Sequence, residues 1–206
     1  MQAASYSGIR LLKPILFLLA LLPFLRLAWL IATNQLGANP VEFVTRDTGN
    51  WALYLLCATL AITPLRRLTG WNALQKQRRM LGLFAFFYAC LHFLAFLWFE
   101  HFFDVAEMGR DVLERPFIAV GFTAFLLLIP LTATSNKAAI RYLGRRWQVL
   151  HRLIYLIAML AILHFWWMRA GKQDFADPTL WGIIVAVLLG LRLYWRAAQP
   201  QRNARS

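Results

Sequence analysis

Six stretches of this chain are apolar at or near the length that crosses a lipid bilayer. They run from Pro14 to Thr33, Trp51 to Leu65, Met80 to Phe99, Pro116 to Thr134, Gly144 to Trp167 and Thr179 to Tyr194. A hydrocarbon core about 30 Å thick is spanned by about twenty helical residues. Within it each backbone N–H and C=O needs a partner inside the protein, which a helix supplies by itself. With 60% apolar residues and a mean hydropathy of +0.54, the 206-residue chain has too little polar surface to clothe a soluble core. The expected fold is an all-α integral membrane protein, a six-transmembrane-helix bundle in which residues 1–206 form one domain. The first stretch reads as a retained helix and not a secretory leader, because five more spans follow it.

The charges set the orientation. Lysine and arginine cluster near the N-terminus (Arg10, Lys13), between the second and third spans (Arg66, Arg67, Lys76, Arg78, Arg79), between the fourth and fifth (Lys137, Arg141, Arg145, Arg146), and in the tail (Arg196, Arg202, Arg205). Acidic residues dominate the connection holding Glu100, Asp104, Glu107, Asp111 and Glu114, and share the loops 34–50 and 168–178 with a few cations. Cations favour the cytoplasmic side, so both termini are expected there. The net charge of +13 is therefore a topological signal. No basic and aromatic platform stands clear of the spans, which excludes nucleic acid as a partner. No long loop remains for a flavin or nicotinamide domain with its Gly-rich turn and sheet. Cys57 and Cys90 lie inside apolar segments without a CxxC pattern, so they read as core or lipid-facing thiols.

The chain has four histidines, and their depths carry the chemistry. The stretch from Gly144 to Trp167 reads as one continuous helix bearing His151 and His164, whose thirteen-residue separation corresponds to about 20 Å of rise. Ionisable groups at such depth usually face a bundle interior and act there. His92 lies about 18 Å along the third helix and His164 near the outer end of the fifth, so the two can meet in the outer half of the bundle. A pair of imidazoles in a dry helical bundle suits the axial positions of haem iron. His151 sits near the cytoplasmic end, and the rotation over thirteen residues, about 220°, turns it to another side of the helix. Arg78 lies on the His92 face of the third helix at the inner level, where it can neutralise a propionate or phosphate. His101, in the acidic connection, is expected to be solvated. Arg26 has two readings, snorkelling to the outer interface or pairing with a cofactor carboxylate. A zinc or copper site is the weaker option, since no thiol or carboxylate flanks these histidines and HExxH is absent.

The stretches LGANPVEFVTRDTGNWAL, TPLRRL, RRMLGLFAFFYACLHF, RPFIAVGF, LTATSN and LGRRWQVLHRLIYLIAMLAILHFWW cover much of the chain. In them it resembles the MsrQ (YedZ) family, the haem-binding membrane subunit of the periplasmic methionine sulfoxide reductase system, within the ferric-reductase-like transmembrane class. The resemblance implies a multi-pass protein of the bacterial inner membrane with haem b, one or two, linked to His92, His151 and His164, and with FMN as a further cofactor. It implies a quinone or a cytoplasmic flavin reductase as donor and a molybdopterin-containing periplasmic subunit as acceptor. Full ferric reductases carry two histidines on each of two helices, whereas the inner position of the third helix here is Arg78 or Arg79. The expected function is transmembrane electron transfer by a subunit that does not itself act on the final substrate. A stand-alone ferric or quinone reductase is the alternative within redox chemistry. A histidine-based metal-ion transporter is the alternative outside it, and that reading expects broken polar helices near the midplane.

Overall fold

A computed structural model describes residues 2–198, with side chains from residue 11 onward. Arg202 and Arg205 of the basic tail lie outside the described residues. Among the described residues the regular structure is all helical, nine α-helices and a short 3-10 turn at Asn72–Lys76, with no strand. The α-helices are α1 (Gln2–Ala32), α2 (Pro40–Thr69), α3 (Arg78–Phe99), α4 (Val105–Glu114), α5 (Pro116–Ala133), α6 (Lys137–Leu143), α7 (Arg145–Leu150), α8 (Leu153–Ala170) and α9 (Ala176–Ala197). Six candidate spans result, with α7 and α8 together forming the fifth. The all-α, six-span architecture expected from the sequence is the one observed.

Several boundaries depart from expectation, each for a local reason. The segment expected to be loop through Asn50 is helical from Pro40. Asn39 caps it by accepting the Glu42 N–H at 3.2 Å while its amide donates to the Glu42 carboxylate at 3.1 Å, and Pro40 at the first position suits helical φ. An Arg46–Glu42 ion pair at 2.8 Å then spans the first turn. Hydropathy alone hides such a start, because the opening turns of α2 are polar.

The acidic connection contains a helix, α4, whose N-cap Asp104 accepts the N–H groups of Ala106 and Glu107 at 2.9 and 3.0 Å. These two donors hold the Asp104 carboxyl below its ordinary range.

The fifth span is not one continuous helix. It tightens at His151 and Arg152, where Arg152 N–H bonds to Val149 O and Tyr155 N–H to Arg152 O, both three residues back. The side chains explain the tightening. Trp147 Nε1 donates to Thr134 O at 3.0 Å, His151 Nε2 meets Thr134 Oγ1 at 3.1 Å, and the two rings stack 4.0 Å apart. Both residues thus clasp the end of α5.

Near two of the prolines inside spans, a side chain from another helix bonds to the backbone. Pro64 lies within α2 and does not end it; the helix runs on to Thr69 and closes at Gly70 with φ 72°. Lacking an N–H, Pro64 cannot bond to Leu60 O, and Arg192 of α9 donates to that carbonyl instead. In α1, just beyond Pro23, the Tyr88 hydroxyl inserts into the ladder. It accepts from Phe24 N–H and donates to Ala20 O, both at 2.9 Å. Tyr88, only 1% exposed, is the peg that fastens α1 to α3. The outer face of α1 stays apolar and exposed at Leu18, Leu22 and Trp29, as a lipid-facing helix would.

The most extensive packing is α2 against α3 and α5 against α8, with α3 joining α5 and α9 covering α8. A common core around Leu53, Leu56, Leu60, Tyr88, Ile157 and Ala158 holds the two pairs together. Arg26–Asp47, Lys172–Glu42 and Arg169–Asp177 ion pairs gather the end of α1, the start of α2, the end of α8 and the start of α9 at one pole. All nine Asp and Glu residues fall on segments at this acidic pole, and the opposite pole is basic.

Candidate functional site

His92 on α3 and His164 on α8 face one another toward the acidic pole, their ring centroids 6.1 Å apart and their planes at 73°. The two are held by matching devices. His92 Nδ1 lies 2.9 Å from Thr45 O on α2, and His164 Nδ1 lies 2.7 Å from Phe117 O on α5; each carbonyl is 47 residues ahead of its histidine. A carbonyl only accepts, so each Nδ1 carries the proton and each Nε2 keeps its lone pair.

In a helix the residue four positions after a carbonyl lies beside it, and that residue here is glycine in both cases. A Cβ on Gly49 would stand 3.1 Å from His92 Nδ1, and one on Gly121 would stand 2.7 Å from His164 Nδ1. At Gly121 any side chain would force the His164 ring to move, whereas at Gly49 a Cβ would crowd His92 by a few tenths of an ångström. Thr45, Gly49, Phe117 and Gly121 are site residues that the sequence reading missed. Their signal was present as an i, i+4 spacing in TRDTGN and PFIAVGF, recognisable only once the facing histidines are known.

Between α2, α3, α5 and α8 lies a cavity of about 340 Å³ that includes both histidines. Its walls are apolar and aromatic, with Leu56, Ala85, Phe93, Phe125, Ile157 and Ala161 among them. Arg46, Glu100, Arg115 and Arg169 also line it. Three arginines beside an apolar slot were not anticipated. Each is steered by a carboxylate: Arg46 by Glu42, Arg115 by Asp111 at 3.3 Å, and buried Arg169 by Asp174 and Asp177.

These residues fit haem. A metal–imidazole bond of about 2 Å on each side, with the ring's half-width added, sets the centroids of two axial imidazoles about 6 Å apart. The observed separation matches that figure. Among the described residues no three His, Cys, Asp or Glu side chains converge on one point. A metal held by this pair therefore takes its remaining ligands from elsewhere, as from a porphyrin.

The other candidates fall elsewhere. His151 does not join the pair; it is clasped to Thr134 about 20 Å along the fifth span from His164. Arg78 lies at the basic pole beside Arg192 and Tyr155. Arg26 bonds Asp47 at 3.2 Å and lies over the Phe43 ring, which makes it an interhelical tie. His101 is not solvated as expected. It is 4% exposed, packed edge-on against Phe96 at 4.7 Å with its Nε2 3.3 Å from the Asp111 carboxylate, because α4 folds back over it. Cys57 is buried and Cys90 half-buried, both as free thiols.

Comparison with known proteins places the chain in a family. Residues 48–163 match the family described as "Ferric reductase like transmembrane component". The chain is 63% identical over 200 residues to the "Protein-methionine-sulfoxide reductase heme-binding subunit MsrQ" of Herminiimonas arsenicoxydans, covering 97% of this chain and 92% of that one. It is 58% identical over 190 residues to the protein of the same description from Ralstonia nicotianae, covering 92% and 88%. To that from Polaromonas naphthalenivorans it is 53% identical over 192 residues, covering 93% and 88%. Six apolar helices, the matched family and near full-length identity lead to one conclusion: the chain belongs to the MsrQ family, within the ferric-reductase-like transmembrane class.

Proposed function

We propose that this chain is the electron-transfer subunit of a methionine sulfoxide reductase system in the bacterial inner membrane. It takes electrons at the cytoplasmic face and delivers them to a molybdopterin-dependent reductase subunit in the periplasm. The observation that carries the reading is the His92–His164 pair at 6.1 Å, with both Nδ1 atoms occupied and both Nε2 atoms free. The relatives' printed description as heme-binding subunits supports it.

His92 and His164 would hold one haem b, which supplies a one-electron iron couple. Every other task falls to the chain. Thr45 O and Phe117 O lock the imidazole tautomer and, by accepting from Nδ1–H, raise the basicity of the opposite nitrogen. Gly49 and Gly121 set the ring planes. Phe93, Phe125 and Ile157 exclude water, which lowers the local dielectric and so helps set the potential. Arg46, Arg115 and Arg169 are placed to pair with carboxylates.

The charge alternation supports a cytoplasmic basic pole and both termini on that side. Arg145, Arg146 and Arg152 there suit a quinol or a reduced flavin, FMN included, as donor. His151, among these cations and clasped to α5, takes part on the donor side and does not ligate the outer haem. The haem-loaded chain, reduced by quinol or by a flavin reductase, should be reoxidised on mixing with the periplasmic subunit. A chain that reduces normally but is never reoxidised by that subunit would refute the assigned acceptor.

A further inference from the structure

Arg192 is a buried cation near the basic pole, with 9% of its surface exposed. Its Nη1 donates to the Tyr155 hydroxyl at 2.8 Å and its Nη2 to Leu60 O, while its Nε has no partner. Both acceptors are neutral. Half-buried Arg78 from the start of α3 is its neighbour, and Arg196 lies over the same Tyr155 ring at 5.8 Å. Three guanidinium groups thus surround one phenol.

No side-chain carboxylate is available to balance them. The nine Asp and Glu residues all lie on segments of the acidic pole, and none occurs from 48 to 99, from 115 to 173 or from 178 to 206. Among the described residues, every ion pair is at the acidic pole. A desolvated cation is costly unless an anion sits beside it. Arg169 at the other pole illustrates the rule, being equally buried but flanked by Asp174 and Asp177.

We propose that the cluster of Arg78, Arg192, Arg196 and Tyr155 binds a phosphoryl oxyanion. Planar guanidinium forks match phosphate oxygens, and the Tyr155 hydroxyl adds a donor when its oxygen also accepts from Arg192. The position at the end of the spans suits either the headgroup of an anionic phospholipid or the phosphate of a soluble ester. This site is separate from the His92–His164 cavity and does not depend on the electron-transfer reading.

The test measures thermal unfolding of the full chain by tryptophan fluorescence. One arm compares nanodiscs of phosphatidylglycerol with nanodiscs of phosphatidylcholine. The other compares inorganic phosphate with chloride in detergent at matched ionic strength. The parent should gain about 2–4 °C from the anionic probe. Arg78→Gln should lose at least half of that gain, and Arg79→Gln, an exposed neighbour, should keep it. Arg192→Gln also removes the Leu60 contact, so Arg78→Gln is the primary variant and Arg196→Gln its confirmation. A gain in phosphatidylglycerol alone identifies a lipid headgroup, and a gain in both arms identifies a site open to soluble phosphate. No gain in either arm, or an equal gain in parent, Arg78→Gln and Arg196→Gln, overturns the proposal.

Discussion

Two glycines fix how the histidines of this bundle can be used. The Gly121 position leaves less room than Gly49, 2.7 Å against 3.1 Å to the nearest ring nitrogen for an added Cβ. Gly121→Ala should therefore displace His164 from Phe117 O and cut haem affinity by about tenfold or more, as loss of a ligand's supporting hydrogen bond commonly does. Gly49→Ala should have the smaller effect in the same direction. Haem titration followed by the Soret band measures both, and equal retention in the two variants would show that the glycines are incidental. The histidines were legible in the sequence because ionisable residues stand out in apolar spans. The glycines and carbonyls were not, because a backbone acceptor leaves no side-chain signature. His101 was misread for a related reason, since its burial depends on α4 folding back, and the hydropathy of the acidic connection does not show that.

At the scale of elements, proline and the side chains that answer it decide how the helices join. Tyr88→Phe removes the hydroxyl that bridges Phe24 N–H and Ala20 O. It should destabilise the protein by about 1–3 kcal/mol through two poorly satisfied backbone groups. A denaturant or thermal series on the variant checks this, and an unchanged midpoint would mean that α1 recloses its own ladder. The donor-side role proposed for His151 is tested at this scale as well. His151→Ala should leave the outer haem's spectrum and its reduction by dithionite nearly intact while slowing reduction by quinol or reduced flavin several-fold. Stopped-flow traces with matched donor rates in variant and parent would assign His151 to the Thr134 clasp alone. The spans themselves were plain from hydropathy. The start of α2, helix α4 and the interruption before α8 were not, since caps and side-chain clasps set them.

For the whole molecule, the separation of charge between two poles orients everything else. Reporter fusions within residues 70–76 and at the C-terminal end should report the cytoplasm, and fusions near Gly109 or Lys172 the periplasm. A periplasmic signal from the basic loops would invert the proposed direction of electron flow. The central claim, that His92 and His164 clamp one haem between two helix pairs, is tested most directly by absorption spectra of His92→Ala and His164→Ala beside the parent. All three are recorded oxidised and dithionite-reduced after haem loading. Because a six-coordinate iron needs both imidazoles, the two variants should lose or severely perturb the same low-spin signal. A full low-spin spectrum surviving in either variant would contradict the clamp.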